Sequence, residues 1–157
     1  YKNSIFDHNK YLKVHFMVSI IDFGSAEYDE AFTLRDKILR KPLGMEYTLE
    51  DLKGEEDNIH IAYFENGNII GYLQLKPIQD QGIKMRQVAV DDQHQGKGIG
   101  KALVTFSENW CKNKAKSYIE LHARDVAIPF YLKCGYSIEK EAFEEVGIPH
   151  RYMIKRF

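Results

Sequence analysis

The chain has 157 residues, with 22 lysines and arginines against 23 aspartates and glutamates, a formal net charge of −1. That balance gives no general attraction to nucleic acid or an anionic membrane, and no apolar run approaches the length of a membrane span. Hydrophobic residues at 44% and aromatics at 13% predict one globular domain, large enough to bury a core.

Residues 1–16 mix aromatics and lysines without a clear period. They are expected to form an extension outside the core domain of residues 17–157, an arm used in packing being the alternative. Val18 to Phe23 reads as a first strand, and Ser25 caps a helix running to about Arg40, with Tyr28, Ala31, Phe32, Ile38 and Leu39 on its inner stripe. Arg35 falls on that stripe, where a charge needs a reason: a substrate anion at a cleft, or an ion-paired side chain. Pro42 and Gly44 break the helix, and Thr48 to Leu52 predicts a short second one. Strands over 58–64 and 69–76 meet at a hairpin through Asn66-Gly67, and a second hairpin leads into a strand over 83–90. A helix over 98–114, a strand over 118–123 and a helix over 126–133 follow. Pro129 sits in the first turn of that last helix and Gly135 ends it. Strands over 136–143 and 150–157 close the sheet. This order predicts an α/β (α+β) fold, a mixed and mainly antiparallel sheet with helices on both faces. The strands ending at Val90 and Ala123 are parallel neighbours, because a helical crossover joins them.

The most informative segment is Gln95-Gly96-Lys97-Gly98-Ile99-Gly100, between the Met85–Val90 strand and a helix whose apolar face carries Ile99, Ala102, Leu103, Phe106 and Trp110. Glycines at such a junction leave the first helical N–H groups bare, and these attract a diphosphate; a ligand-free glycine turn is the bland alternative. A Walker loop fails twice, since Gln95 replaces the first glycine and Ala102 replaces the hydroxyl after Lys101. A Rossmann fingerprint fails on spacing, G-x-G-x-G delayed by residues 91–95. The remaining pattern, [QR]-x-x-G-x-[GA] after a strand ending in Ala-Val, resembles the coenzyme A loop of the GNAT superfamily of N-acetyltransferases. Tyr131-Leu132-Lys133-Cys134-Gly135-Tyr136 matches its Y-x-K-x-G-[FY] segment, and Glu145-Val146-Gly147-Ile148-Pro149-His150 with Met153 resembles a small-substrate bacterial branch.

That resemblance, over residues 69–157, implies a six- to seven-stranded sheet with a splay between the two parallel central strands. It implies acetyl-CoA as cofactor, the backbone of Val88, Ala89 and Val90 facing the pantetheine arm and thioester. The diphosphate would lie on the amides of Gln95, Gly96, Lys97, Gly98, Ile99, Gly100 and Lys101. Lys97 and Lys101 add charge there or are solvated surface lysines. Tyr131 matches the tyrosine that protonates the departing thiolate in many members, the alternative being a core aromatic. No glutamate stands on the strand before the loop, where Lys84, Arg86 and Gln87 occur instead. His122 is the first candidate base and His150 the second; a core role for either, or a water relay, is the alternative. Glu120 shares a strand face with His122 and joins Arg35 and His150 as a substrate candidate. Glu46 and Tyr47 are weaker ones. Arg124 departs from the asparagine or glutamine common at its position, so that residue's usual role is not carried over.

The acceptor expected is a small-molecule amine, with no nucleic acid and no membrane partner; homodimers are common in the superfamily. A non-catalytic acyl-CoA sensor is the alternative function. Cys111 and Cys134 lack a C-x-x-C pattern and no signal peptide is evident, which predicts reduced thiols in the cytoplasm. Six scattered histidines predict no metal site.

Overall fold

A computed structural model describes residues 16–157. The expected N-terminal extension lies outside the described residues except for Phe16, which opens the first strand. In chain order the elements are β1 (Phe16–Ile21), α1 (Ala26–Arg35), α2 (Leu49–Leu52), β2 (Ile59–Glu65), β3 (Asn68–Pro77) and β4 (Gly82–Val90). They continue with α3 (Ile99–Asn113), β5 (Tyr118–Arg124), α4 (Ile128–Lys133), β6 (Ser137–Ile138), β7 (Phe143–Glu145) and β8 (Ile148–Arg156). All eight strands form one sheet in the order β1-β2-β3-β4-β5-β8-β6, with β7 also paired to β8. Only β4 and β5 run parallel among the described strands. Among the described residues no helix is long and apolar enough to cross a membrane.

Local chemistry accounts for the elements. The Ser25 hydroxyl oxygen accepts from Tyr28 N at 3.2 Å and caps α1, which a single π-helical turn (Asp36–Arg40) prolongs. Thr48 and Asp51 form a reciprocal capping box on α2. At the β2–β3 turn Asn66 and Gly67 both have positive φ, 49° and 81°, the twist a two-residue hairpin favours. The expected strand over 136–143 is instead two short pieces. The exposed, charged run Glu139-Lys140-Glu141 interrupts it, and Val146 and Gly147, both at positive φ, turn β7 back on β8. This split makes eight strands of the expected six to seven.

Alternation along the strands divides the core in two. On one face Leu73, Ile83, Met85, Leu121 and Met153 pack under α3 and α4, with Leu103, Cys111 and Tyr131. On the other, Ala62, Ile69 and Tyr72 pack under α1, with Ala31 and Leu34.

Candidate active site

The site begins where β4 and β5 stop pairing. Their ladder runs from Gly82–Tyr118 to Met85–Leu121 and goes no further, so β4 past Met85 has an open side toward β5. A β-bulge is the local cause. Gln74 pairs with Arg86 but Tyr72 with Ala89, so Gln87 and Val88 oppose one residue, and Gln87 adopts φ 56°. Bulges bend and twist a strand. This one is braced by the Tyr47 hydroxyl, which donates to Gln87 Oε1 at 2.6 Å. The extra residue also keeps Val88 and Val90 on the α3 side with Met85, while Lys84 and Arg86 point to the opposite face.

The loop after β4 is tied at both ends. Asp91 accepts from Lys37 Nζ and from His94 Nδ1, both at 2.9 Å, and His94 Nε2 lies 2.8 Å from Glu65. The His94 bond, with that of Lys37, holds the Asp91 carboxyl below its ordinary range. Gln95 Nε2 donates to Val90 O at 3.1 Å. Gly96 and Gly98 then take φ 78° and 83°, and nothing lies within 4 Å of where a Cβ would stand on either. Gly98 caps α3 without any side-chain bond, and the first intrahelical bond at this end is Ala102 N to Gly98 O at 3.0 Å. The amides of Ile99, Gly100 and Lys101 therefore have no intrahelical partner, and they stand at the positive end of the helix. Gly100 has a different reason to be glycine: a Cβ there would meet Phe130 Cζ of α4 at 3.1 Å.

This cradle fits a coenzyme A diphosphate, since the backbone supplies bare donors and the glycines leave an open approach. A side chain at position 98 would be strained by the backbone alone, a β-branched one most. We expect Gly98→Val to weaken acetyl-CoA binding about tenfold or more, measured by calorimetric titration. Binding at wild-type strength would remove the loop from the cofactor site.

Beyond the bulge the parted strands open a cleft of about 310 Å³. Val88, His122, Tyr131 and His150, four of the residues singled out from sequence, line it. Tyr131 enters from α4, its ring held edge-on by Phe130 and Tyr136 at centroid distances of 5.0 and 5.8 Å. Burial, with Cys134 adding to it, pushes its phenol well above the ordinary tyrosine value. His122 and His150 converge on one carboxylate: His122 Nδ1 is 3.1 Å from Glu145 Oε1, and His150 Nε2 is 3.7 Å from Oε2. The His122 bond lowers the Glu145 carboxyl to about 2, against the burial that opposes it. An ionised carboxylate only accepts, so Nδ1 of His122 carries the hydrogen of this bond, and in the neutral ring the lone pair is then on Nε2. His150 Nδ1 donates to Ile148 O at 2.9 Å.

Two expected substrate residues lie elsewhere. Arg35 is fully buried and bonds both oxygens of Glu55 at 3.0 and 2.7 Å, which makes it the ion-paired core residue of the two readings. Glu120 accepts from Tyr152 OH at 2.6 Å and is not part of the cleft lining. Glu46 and Tyr47 line a neighbouring hollow. Glu145 was not singled out from sequence as a site residue. Its position depends on the Val146-Gly147 turn, a signal the sequence offers but which reading 136–143 as one strand obscures. Arg124 donates to Leu39 O at 3.0 Å and lines the cleft with Arg40, Lys84 and Arg86.

Comparison with known proteins gives the same direction. Residues 25–136 match the acetyltransferase (GNAT) family. YjcF of Bacillus subtilis (strain 168), named as an uncharacterized N-acetyltransferase, is 27% identical over 143 residues, spanning 88% of this chain and 99% of that protein. Escherichia coli ElaA superposes with a TM-score of 0.76 at 21% identity, over 91% of this chain and 99% of ElaA. The PaiA N-acetyltransferase of Thermoplasma acidophilum, solved with coenzyme A, gives 0.73 at 16% identity over 91% and 99% of the two chains. With its parted β4 and β5, its glycine-capped α3 and a family match across most of its length, the chain belongs to the acetyltransferase (GNAT) family.

Proposed function

We propose that this protein is an acetyl-CoA-dependent N-acetyltransferase that modifies a small-molecule amine by direct attack on the thioester. The observation that carries the reading is a juxtaposition. The bare α3 amides follow β4 in the chain, and the cleft at the open edge of that strand is lined by Val88, Tyr131, His122 and Glu145. When bound, the cofactor supplies an activated acetyl group. The amides of residues 95–101 hold its diphosphate, and unpaired backbone along Val88, Ala89 and Val90 bonds the pantetheine amides, since β5 no longer satisfies that edge. His122 accepts a proton from the attacking amine at Nε2 as the C–N bond forms. Tyr131, protonated throughout the neutral range, gives the departing sulfur a hydrogen bond and then its proton as the C–S bond breaks.

In this scheme Glu145 positions His122 rather than touching the acceptor. Glu145→Gln keeps the shape but removes the charge-assisted bond. It should lower kcat about tenfold with the KM for acetyl-CoA unchanged, in steady-state assays of CoA release. Because Glu145 is depressed to about 2, this bond should persist down to that pH and be lost as pH falls through it. An unchanged kcat would take His122 and Glu145 out of the reaction.

The proposal as a whole is tested by thermal unfolding with saturating acetyl-CoA, ATP or NAD. Ligand at about 100 times its Kd adds about 2.7 kcal/mol. For a chain of this size that raises the midpoint by roughly 5–10 °C. A shift selective for acetyl-CoA supports the reading, and a shift with ATP or NAD instead overturns it.

A further inference from the structure

The chain as a whole is slightly negative, yet its cleft is not. Arg40, Lys84, Arg86 and Arg124 line it against two acids, Asp51 and Glu145. Both acids are engaged elsewhere, Asp51 on the backbone of Thr48 at 2.8 Å and Glu145 on His122. None of the four cations lies within ion-pair distance of a carboxylate among the described residues. Arg40 is only 9% exposed, and its Nε has no hydrogen-bond partner. Burial pushes the Lys84 ammonium and the Arg124 guanidinium below their ordinary values, and like charge adds to it, from Arg86 on the first and Arg40 on the second, with Glu145 opposing the shift of both in part.

Four cations against two acids leave the cleft with an excess of positive charge, and holding like charges together in a half-buried cleft destabilises the free protein. A structure keeps such a cluster where a ligand supplies the missing charge. The cofactor diphosphate is not that ligand. Its cradle lies on the α3 face, whereas Lys84 and Arg86 alternate with the core residue Met85 and point to the opposite face. Arg40 comes from the turn that prolongs α1, which covers that opposite face.

We propose that the acceptor carries, beside its amine, an anionic group, a carboxylate or a phosphate, that docks on Arg40, Lys84, Arg86 and Arg124. This rests on reading the cleft as the acceptor side of an acetyltransferase. The four cations select against polyamines and other polycations, which would be repelled from the same surface. Arginine forks suit the planar or tetrahedral oxygens of either anion.

The test is calorimetric titration of the CoA-saturated protein, whose diphosphate site is thereby filled, with glutamate, O-phosphoethanolamine, ethanolamine and spermidine. The expected result is binding of one or both anionic amines at least about tenfold tighter than ethanolamine or spermidine. The glutamate and O-phosphoethanolamine arms distinguish carboxylate from phosphate. Lys84→Gln and Arg86→Gln, whose side chains make no hydrogen bond or ion pair among the described residues, should each weaken that binding about tenfold without lowering Tm. Tighter binding of ethanolamine or spermidine, no binding of either anionic amine, or unaltered binding by both variants overturns the proposal. CoA release from acetyl-CoA with the same four amines separates this from the underlying reading. Anion binding without CoA release from any amine counts against the transferase and leaves the anion site standing. Release driven only by spermidine or ethanolamine does the reverse.

Discussion

Tyr131→Phe is expected to lower kcat by about a hundredfold or more, within the range a positioned general acid contributes, while leaving the acetyl-CoA affinity within about twofold. Only the hydroxyl changes. The ring is 6% exposed and stays packed against Phe130 and Tyr136, so the variant should fold and melt as wild type does. Burial raises the phenol pKa, so Tyr131 keeps its proton at every pH at which the reaction would be assayed. Its ionisation should therefore contribute no alkaline fall in rate below the ordinary tyrosine value of about 10. Steady-state kinetics of CoA release measure kcat, and calorimetric titration measures affinity. A kcat within about threefold of wild type would assign Tyr131 to the core alone.

The second large effect is on stability. Arg35→Met should cost about 3–5 kcal/mol, because it leaves a buried carboxylate without its cation. For this size of chain that is a fall of roughly 6–20 °C in Tm. Glu55 is 1% exposed and accepts from Tyr28 OH at 2.6 Å and Gln74 Nε2 at 3.1 Å as well as from Arg35. The Arg35 guanidinium is packed 5.0 Å from the ring centres of both Phe32 and Tyr47. This network pins the turn after α2 onto α1 and β3, and through Tyr47 it reaches the bulge at Gln87. The pH dependence has a definite sign. Burial disfavours the Glu55 charge, but the Arg35, Tyr28 and Gln74 bonds more than offset it and hold the carboxyl below its ordinary value. Its contribution is thus complete above an unfolded value of about 4.3 and is lost as pH falls through the lower, folded one. In Arg35→Met the same carboxyl is raised instead, so the deficit against wild type should shrink on acidification. Urea melts between neutral pH and pH 4 measure both, and a loss below about 1 kcal/mol at neutral pH would show the pair to be dispensable.

What the sequence disclosed followed the range of the interactions involved. The glycine loop and α3 are local: periodicity and three glycines predict a helix over 98–114, and α3 runs Ile99–Asn113. The Asn66-Gly67 hairpin, the Ser25 cap and the Pro129–Gly135 limits of α4 are equally local. The Arg35 anomaly was visible as a charge on an apolar stripe, but its partner Glu55 lies 20 residues away in a turn with no periodicity to place it. The bulge at Gln87 has no glycine to announce it, since it is imposed by pairing with β3 and by Tyr47, 40 residues upstream. Glu145 and the cation cluster are legible only once β7, the end of α1 and the splay are brought together in space.

The most direct test is amine-dependent release of CoA from acetyl-CoA by the full chain, read as free thiol and paired with the mass of the product. The expected result is thiol release that requires an amine, with one acetyl group gained by the amine for each thiol formed. Binding of acetyl-CoA without amine-dependent release would contradict it and leave a non-catalytic acyl-CoA-binding protein in its place.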